Sequence, residues 1–494
     1  MHNAVQLIAY ADRLGGDLRG LRSLLRTELK DLFGGIHILP FFDPVDGEDA
    51  GFDPVDHTRV DPSLGDWEDV AALTDEYSVM ADLIVNHVSS DSPQFQDVRS
   101  RGSASPHWDL FLRKSDVFPD GEPDAVIADE VSHIYRPRPG QPFTKIALDD
   151  GSSFDFWTTF SPKQLDINVE VPAGRAYLKS ILERFAKAGI REIRLDAAGY
   201  AIKRRGTQCF MLPQTFEFIS ALSEQASTLG IETLVEIHSH YQTQIAIASR
   251  VGRVYDFALP PLVLHTLYTS DAEALKCWLE ISPHNCVTVL DTHDGIGIVD
   301  VARQGDLEGL LSDDQVDDLV ETIHGKTGGA SRRASGHAAS NLDIYQVNST
   351  YYDALGGDDS DYLIARAIQF FAPGTPQIYY VGLLAGENDL DLVEKTGVGR
   401  DINRHYYAPD EVCVALERSV VQRLMELIRL RNALPAFGGT FSLPECPRGQ
   451  LIMRWDHNDE YAELRVDLSL RRATISYGVS EEKRLFDICE KAHA

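Results

Sequence analysis

Eight short apolar segments recur along the chain, and each ends where polar residues cluster. They occupy residues 5–10, 36–39, 80–85, 190–195, 233–235, 254–257, 287–290 and 377–381. Short apolar runs are typical of strands that are buried on both faces of a parallel sheet. Eight such strands, joined by right-handed helical crossovers, close into a (β/α)8 barrel. The sequence therefore predicts an α/β fold of the TIM-barrel type.

Between these segments lie residues with the spacing of amphipathic helices. Apolar residues recur every three or four positions in Leu18, Leu21, Leu25, Leu29 and Leu32, and again in Tyr177, Ile181, Phe185 and Ala188. Glycine follows both series, at positions 34–35 and 189, as it commonly does after the last turn of a helix. We therefore expect a helix in each of these crossovers.

Two intervals are too long for a single crossover helix, and the last part of the chain changes its pattern. Residues 87–170 follow the third strand and residues 296–359 follow the seventh. Long rim insertions commonly build the walls of a ligand site. From residue 437 apolar and polar residues alternate, which predicts strands. We expect a barrel of residues 1–86, 171–295 and 360–436, the two insertions, and a small C-terminal β domain of residues 437–494.

The charge of the chain excludes several classes of partner. Its 494 residues carry a formal net charge of −30 at pH 7, which repels nucleic acid and anionic membrane surfaces. The N-terminal segment lacks a basic start followed by an apolar run, and no apolar stretch has the length of a membrane span. The six cysteines are scattered, without metal-ligand spacing. We therefore expect a cytoplasmic protein with reduced thiols, no metal and no cofactor.

Three carboxylic acids lie just past three of the predicted strands. Asp196 follows the fourth strand, Glu236 the fifth and Asp294 the seventh. The carboxyl ends of all barrel strands meet at one rim, where TIM-barrel enzymes carry their active sites. Carboxylates gathered there supply the nucleophile and the proton donor that cleavage of a glycosidic bond requires. This arrangement predicts an enzyme that breaks or makes α-glucosidic bonds.

Five segments resemble, in order, the signature segments of the α-amylase superfamily of retaining α-glucosidases and transglucosidases. They are residues 82–87, 164–168 and 194–196, Glu236, and His293-Asp294. Residues 49–54, 135–140, 291–295, 348–352 and 399–407 are similar to the sucrose phosphorylase branch of that superfamily. The resemblance implies a (β/α)8 barrel. It also implies that sucrose and inorganic phosphate react reversibly to give α-D-glucose 1-phosphate and D-fructose, and that the protein is a homodimer.

Two departures from ordinary amylases point away from starch hydrolysis. Gly199-Tyr200 stands where amylases usually have Lys-His after the nucleophile, and Thr292 stands where they have Asn. Starch-degrading amylases also usually carry calcium ligands in the rim insertion and are secreted. Because this chain shows no export signal, we expect no structural calcium.

The chemistry of a retaining glycosidase assigns a role to each carboxylate. Asp196 would attack the glucosyl carbon to form a covalent glucosyl-enzyme, and Arg194 would keep it ionised because a nearby positive charge lowers a carboxylate pKa. Glu236, its pKa raised by a partly apolar site, would protonate the leaving oxygen and then deprotonate the acceptor. Asp294 would stabilise the positive charge that develops on the sugar.

Further residues are candidates for binding glucose. His87 and His293 would donate hydrogen bonds to glucose hydroxyls, and Gln164 belongs to a signature segment. Asp49 and Arg404 resemble the family's clamp on the far hydroxyls. Phe52 and Phe160 resemble the apolar wall that packs on the sugar ring.

A chain this acidic needs a positively charged group near the site in order to bind phosphate. Arg136 and Arg138 lie in a proline-rich part of the first insertion, and a guanidinium group binds phosphate in a fork. The resemblance further implies a mobile acceptor loop. In that loop Asp343 and Gln346 would face fructose, and Tyr345 would later face phosphate.

Other functions stay open at this point. A sister phosphorylase of glucosylglycerol, glucosylglycerate or sucrose 6'-phosphate would use the same glucosyl intermediate with different acceptor loops. A hydrolase is a further alternative, and the loop with Arg138 argues against it. A non-catalytic scaffold would normally have lost one of the three carboxylates, and all three are present.

Overall fold

The computed structural model describes residues 3–45, 47, 49–118, 124–135, 140–336, 346–479 and 482–490. Its centre is a closed barrel of eight parallel strands, in which each strand lies beside the one before it in the chain and the last closes on the first. These strands are β1 Gln6–Ala9, β2 Gly35–Ile38, β3 Ser78–Ile84, β4 Glu192–Asp196, β5 Glu232–Val235, β6 Arg253–Asp256, β7 Cys286–Thr288 and β8 Thr375–Tyr379. The predicted barrel is therefore confirmed. Each predicted apolar run lies within two residues of an observed strand at either end.

Helices connect the strands and form the outer layer and part of the loops. Their bounds are Ala11–Leu14, Leu18–Arg26, Trp67–Thr74, Pro172–Lys187, Pro213–Thr228, Tyr241–Ala248, Leu259–Thr269, Glu273–Ile281, Asp313–Lys326, Ala330–Gly336, Tyr351–Ala354, Asp359–Phe371, Tyr380–Leu383, Leu390–Thr396, Pro409–Leu416 and Ser419–Ala433. Short 3-10 helices occupy Gly102–Ala104, Trp108–Leu110, Ala198–Tyr200, Gly399–Asn403 and Pro435–Gly438.

One of the two predicted helices is shorter than its apolar pattern. The first ends at Arg26, and Thr27 leaves helical geometry with φ −112° and ψ −92°. Irregular turns then carry Leu29 and Leu32, which are nevertheless buried. The second runs over Pro172–Lys187, and Gly189 follows it with φ +86°, a conformation that favours glycine.

The long interval after β3 folds over the rim of the barrel. It contains the helices Pro93–Arg101, Lys114–Val117 and Asp124–Ser132 and an antiparallel hairpin of Phe143–Ala147 with Ser153–Trp157. The strand Gln164–Asp166 pairs with His87–Ser89, which directly follows β3. Two smaller antiparallel pairs complete the rim, one of Phe42–Asp43 with Asp56–Val60 and one of Ile296–Gly297 with Gln346–Val347.

The chain ends in an antiparallel sheet of five strands in sequence order. They are β9 Thr440–Ser442, β10 Gln450–His457, β11 Glu460–Asp467, β12 Arg472–Val479 and β13 Glu482–Asp487. The sheet is anchored to the barrel layer because Trp455 donates a hydrogen bond of 2.8 Å to the Phe371 carbonyl. The β character of the C-terminal part is confirmed, whereas the domain boundaries given above stay predictions.

Apolar side chains of the strands and the surrounding helices form one continuous buried core. Among the residues that the structure describes, no helix combines the length and the apolar composition of a membrane span.

Candidate active site

Three carboxylates meet at the carboxyl end of the barrel. Asp196 is the last residue of β4, Glu236 follows β5 directly, and Asp294 lies in the loop after β7. Arg194 contacts two of them, since its Nη1 lies 2.8 Å from Asp196 Oδ1 and its Nη2 lies 3.9 Å from Glu236 Oε1. Parallel strands thus deliver a cluster of three acids and one arginine to the barrel mouth.

Arg194 is also held by a third carboxylate. Its Nη1 donates a hydrogen bond of 2.7 Å to Asp82 Oδ1 on β3, and the other Asp82 oxygen lies 2.9 Å from His37 Nε2 on β2. All three side chains are fully buried. Asp82 therefore supplies part of the negative charge that a buried guanidinium needs, and it fixes the guanidinium beneath Asp196 and Glu236.

The backbone turns sharply just after Asp196. Ala197 has φ +55°, a left-handed conformation that is uncommon for residues other than glycine and is found often at functional sites. Gly199 follows, and a Cβ atom there would lie 2.6 Å from the Phe210 ring. The departure Gly199-Tyr200 noted in the sequence therefore has a structural reason, because a larger residue would push Phe210 away from this loop.

Burial raises the pKa of Asp196 well above its usual value. Arg194 opposes that rise but does not outweigh it, and Glu236, Asp82 and Asp294 reinforce it. A carboxyl whose pKa is raised by burial and by neighbouring carboxylates holds a proton more readily than an isolated one. A retaining mechanism needs an ionised nucleophile, so the raised pKa of Asp196 runs against the ionised state that the sequence predicted for it.

Asp294 has the opposite electrostatic environment. Burial alone would raise its pKa, but Arg400, His293, Arg194 and Arg404 together lower it far below the usual range. The Arg400 Nη1 atom lies 2.7 Å from Asp294 Oδ1. Asp294 is therefore ionised at every physiological pH. Arg400 belongs to the segment 399–407 that carried the resemblance, but sequence analysis did not select it as a site residue.

Four of the predicted glucose-binding residues lie close together at the mouth of the barrel. The rings of Phe52 and His293 stack at 4.7 Å, and burial lowers the pKa of His293 to about 3, so its imidazole is neutral. His87 Nε2 donates a hydrogen bond of 3.0 Å to the Phe52 carbonyl and lies 3.2 Å from Gln164 Nε2. The predicted donation from His87 to a sugar hydroxyl therefore requires that this backbone contact give way.

Phe160 and a group of aromatic residues lie next to His87. The Phe160 ring lies 5.1 Å from the rings of both His87 and Tyr200. The Tyr200 ring lies 4.8 Å from the Phe210 ring, and the Phe210 ring lies 4.5 Å from the Tyr135 ring. Tyr135, Tyr200 and Phe210 were not predicted as site residues, because aromatic side chains without regular spacing do not distinguish a binding wall from core packing.

Asp49 and Arg404 come from the segments that follow β2 and β8. Asp49 contributes negative charge near His87 and Tyr10. Arg404 is fully buried, donates a hydrogen bond of 2.8 Å to the His293 carbonyl, and reaches within 4.0 Å of Asp294. The clamp role of both residues stays a prediction, and Arg400 lies closer to Asp294 than Arg404 does.

The acceptor side contains a histidine that sequence analysis missed. His238 Nε2 lies 3.9 Å from Glu236 Oε1 and 3.1 Å from Gln346 Nε2, and its Nδ1 lies 3.0 Å from Asp300 Oδ2. Although burial opposes the change, Asp300, Glu236 and Asp294 raise the pKa of His238. A Cβ atom at Gly297 would lie 2.2 Å from Asp300 Oδ2, so glycine permits this pair. His238 stands two residues after Glu236, which places both on one side of an extended chain.

Four predicted residues cannot be placed. Arg136 and Arg138 of the first insertion lie outside the described residues, as do Asp343 and Tyr345 of the acceptor loop. Gln346, at the end of that loop, accepts hydrogen bonds from the Gly295 amide at 3.3 Å and from Arg400 at 3.4 Å. This residue therefore joins the loops after β7 and β8 at the edge of the site.

The donor atoms of Glu236, His238 and Asp294 lie within 4.8 Å of one another, close enough for a metal ion. Arg400 and Arg194 already bring positive charge to the carboxylates of Asp294 and Glu236, where a metal ion would place its own charge. The raised pKa of His238 disfavours the neutral imidazole that binds metals. The absence of a metal from the mechanism stays a prediction.

A cavity of about 420 Å³ on the outer wall does not compete with this site. Three arginines of the helix Leu18–Arg26 line it, and each forms an ion pair with Asp69 or Glu76. The carboxylate cluster, rather than the size of a cavity, locates the chemistry.

Known proteins resemble the chain along nearly its whole length. A model of the alpha-amylase catalytic domain matches residues 5–255. Sucrose phosphorylase from Agrobacterium vitis is 57% identical over 478 residues, which cover 96% of this chain and 97% of that protein. Sucrose phosphorylase from Bifidobacterium adolescentis is 52% identical over 468 residues, covering 94% and 92% respectively. A crystal structure of sucrose 6F-phosphate phosphorylase from Thermoanaerobacter thermosaccharolyticum matches with a TM-score of 0.90 and 37% identity, covering 99% of this chain and 98% of that one. The chain therefore belongs to the alpha-amylase family.

Proposed function

We propose that the protein is a sucrose phosphorylase, which converts sucrose and inorganic phosphate reversibly into α-D-glucose 1-phosphate and D-fructose. The near full-length similarity to sucrose phosphorylases carries this proposal. The carboxylates Asp196 and Glu236, which share Arg194, supply the chemistry.

The reaction proceeds in two displacements. Asp196 attacks the anomeric carbon of glucose and forms a covalent glucosyl ester, while Glu236 gives its proton to the departing fructosyl oxygen. A phosphate oxygen then attacks the same carbon, the ester bond breaks, and Glu236 takes up the proton that the phosphate loses. The anomeric configuration inverts twice and is therefore retained.

Asp294 stabilises the transition state of both steps. Its carboxylate is ionised, so it counters the positive charge that develops on the sugar ring. Arg400 and Arg404 offset the negative charge of Asp294 when no sugar is bound. Their guanidinium groups also offer donors for hydroxyls of glucose, together with the carboxylate of Asp49.

The glucose ring packs against Phe52 and Phe160, and its hydroxyls bond to His87, Gln164 and His293. Gln164 Oε1 is buried and has no hydrogen-bond partner among the described residues, and a sugar hydroxyl would satisfy it. The stacking of Phe52 on His293 supports a preformed platform for the sugar.

Phosphate binds where fructose has left. Arg138 supplies a guanidinium fork, and Asp343 and Gln346 give way to Tyr345 as the acceptor loop exchanges positions. The raised pKa of His238, which faces Glu236 and Gln346, adds a positive charge beside this position. An anionic Asp343 must leave before the phosphate dianion arrives, because like charges repel.

A panel of glucosyl donors tests the proposal. The purified protein is incubated with phosphate and, separately, with sucrose, sucrose 6'-phosphate, glucosylglycerol or glucosylglycerate, and glucose 1-phosphate is quantified. We expect sucrose to give the highest kcat/KM. A preference for another donor would identify a sister phosphorylase. Release of free glucose at equal rates with and without phosphate would identify a hydrolase, and no turnover of any donor would support a scaffold.

Two wider predictions belong to the same proposal. We propose a cytoplasmic location, which the six free cysteines support, and cell fractionation tests it. A homodimer is expected from the resemblance, and light scattering of the purified protein measures its mass directly. No cofactor is required by the proposed chemistry.

A further inference from the structure

A buried lysine lies beside the glucose side of the site but takes no part in the mechanism proposed above. Lys203 belongs to the loop after β4, and only 4% of its surface is exposed. Its Nζ donates a hydrogen bond of 2.7 Å to Asn86 Oδ1 and forms an ion pair with Asp166. Asn86 and Asp166 are both completely buried. The Asp166 carboxylate also accepts bonds of 2.9 and 2.6 Å from the amide and the hydroxyl of Thr159.

These contacts join three separate pieces of the chain. Lys203 comes from the β4 loop, Asn86 from the end of β3, and Asp166 from the rim insertion. A buried ion pair loses much of its attraction to desolvation, so an apolar cluster of equal volume commonly stabilises a fold as well or better. A function beyond stability would account for this pair.

The neighbours of the pair identify that function. Asn86 immediately precedes His87, and Asp166 is paired with His87 across the two short rim strands. Gln164, two residues before Asp166, lies 3.2 Å from His87 Nε2. A shift of Asn86 or Asp166 would therefore move His87 and Gln164 with it.

We propose that Lys203 is a positioning residue, whose ammonium group acts as a fixed internal cation that locks the end of β3 to the rim insertion and so sets the positions of His87 and Gln164 for glucose. This inference rests on the proposed function, because it assigns these two residues to the glucose pocket. An ammonium group suits the position because it is a compact point charge with three donors, whereas a guanidinium group is larger and planar.

Two variants test the inference, with one matched control. Lys203→Met keeps the length of the side chain and removes the charge. Lys203→Ala leaves room for a small external cation, such as methylammonium. Arg431→Met also removes a buried cation, but Arg431 bonds to the Phe370 carbonyl and to Asn3, away from the rim.

We expect Lys203→Met to lower kcat/KM for sucrose by about tenfold to a hundredfold, the scale of a small displacement of binding groups. The KM for phosphate, at saturating sucrose, should change by less than about threefold, because the side-chain contacts of Lys203 among the described residues go to Asn86 and Asp166. Amide hydrogen exchange should become faster in residues 86–89 and 164–167. Methylammonium should restore part of the activity of Lys203→Ala, and Arg431→Met should lose stability without a change in either KM.

Several results would overturn the inference. Lys203→Met would contradict it if kcat/KM stayed within about twofold of wild type, if the losses toward sucrose and phosphate were equal, or if hydrogen exchange at both rim strands were unchanged. Lys203→Ala would contradict it if methylammonium did not restore any of its activity. If Lys203→Met does not fold, Lys203→Gln, which still has a donor for Asn86, replaces it in every measurement. If the wild type fails to use sucrose, the proposed function fails by itself, while hydrogen exchange and calorimetric binding of glucose still decide the role of Lys203.

Discussion

Arg194 is the residue that makes Asp196 and Glu236 one chemical unit. It reaches Asp196 directly and Glu236 at a longer distance, and Asp82 holds it from the other side. One guanidinium cannot neutralise three carboxylates, and the pKa of Asp196 stays raised although Arg194 lies beside it. Changing either carboxyl to an amide should therefore affect a different step of the reaction, which permits separate tests of the two roles.

Asp196→Asn should abolish turnover of sucrose and leave the fold intact, because an amide cannot form the ester intermediate. Steady-state assays should find less than about a hundredth of the wild-type activity, and circular dichroism should show an unchanged spectrum. Asp391→Asn, at an exposed position of the helix Leu390–Thr396, serves as the control. Higher residual activity, with deamidation excluded by mass spectrometry, would remove the nucleophile role from Asp196.

Glu236→Gln should separate donors by how much their leaving groups need a proton. We expect α-glucosyl fluoride, whose leaving group needs little protonation, still to glucosylate the variant, whereas sucrose should not. Intact-protein mass spectrometry detects the glucosyl adduct. Glu232→Gln, at the opposite end of the same strand, should behave like the wild type. Equal losses with both donors would contradict a general-acid role for Glu236.

At the residue scale, site residues can be predicted from the sequence where a residue type suited to the chemistry directly follows a predicted strand. Asp196, Glu236 and Asp294 were selected because strand ends converge at one rim, and the structure brings them together there. Arg400, His238 and Asp300 escaped selection, since they come from loops whose folded course has no periodic signal. Their roles, like those of the three carboxylates, stay predictions until variants are measured.

At the scale of the secondary-structure elements, the apolar pattern predicted the barrel strands well because these strands are buried. Parallel strands are covered on both faces, so each reads as an unbroken apolar run whose position is clear to within two residues. The helix after β1 was expected to continue to Leu32, because Leu29 and Leu32 keep helical spacing. Irregular turns bury the same leucines, and apolar spacing alone does not distinguish these turns from another helical turn. The rim hairpin of Phe143–Ala147 and Ser153–Trp157 gives no such pattern, because most of its residues are exposed or half-buried.

The loop that contains Arg138 should serve phosphate rather than glucose. Arg138→Ala should weaken the use of phosphate by about one to two orders of magnitude, as expected from the loss of a charge-assisted contact of roughly 1.5 to 3 kcal/mol. Hydrolysis of sucrose through the same glucosyl-enzyme should continue. Arg101→Ala, in an exposed ion pair of the same insertion, is the control. Parallel loss of hydrolysis and phosphorolysis would show that Arg138 holds the loop or the glucose instead.

At the scale of the whole molecule, buried neutral histidines make stability depend on pH. Burial lowers the pKa of His57 and of His293 to about 3, whereas an unfolded histidine titrates near 6.5. Below that pH the unfolded chain binds protons that the folded protein does not. Each histidine therefore contributes stability that is complete above about pH 6.5 and decreases by up to about 1.4 kcal/mol per pH unit as the pH falls toward 3.

His57→Gln removes one of these groups, so the free energy of unfolding should fall less steeply between pH 6 and pH 5, by about 1 kcal/mol over that interval. Urea unfolding at several pH values measures the slope. His284→Gln, at an exposed position, should keep the wild-type slope. An unchanged slope in His57→Gln would mean that His57 is protonated in the folded protein.

The seam of the barrel joins its first and last strands, which lie far apart in the chain. The Gln377 amide donates a hydrogen bond of 2.7 Å to the Gln6 side chain across 371 residues, where β8 pairs with β1. During synthesis β1 leaves the ribosome first, and its pairing partner on that side arrives only after the long interval that follows β7. Until then β1 and β7 present open strand edges, which are the surfaces through which incomplete chains associate. A truncated translation product that stops before β8 should therefore aggregate rather than accumulate as a partial barrel, and closure of the seam should be a late event of folding.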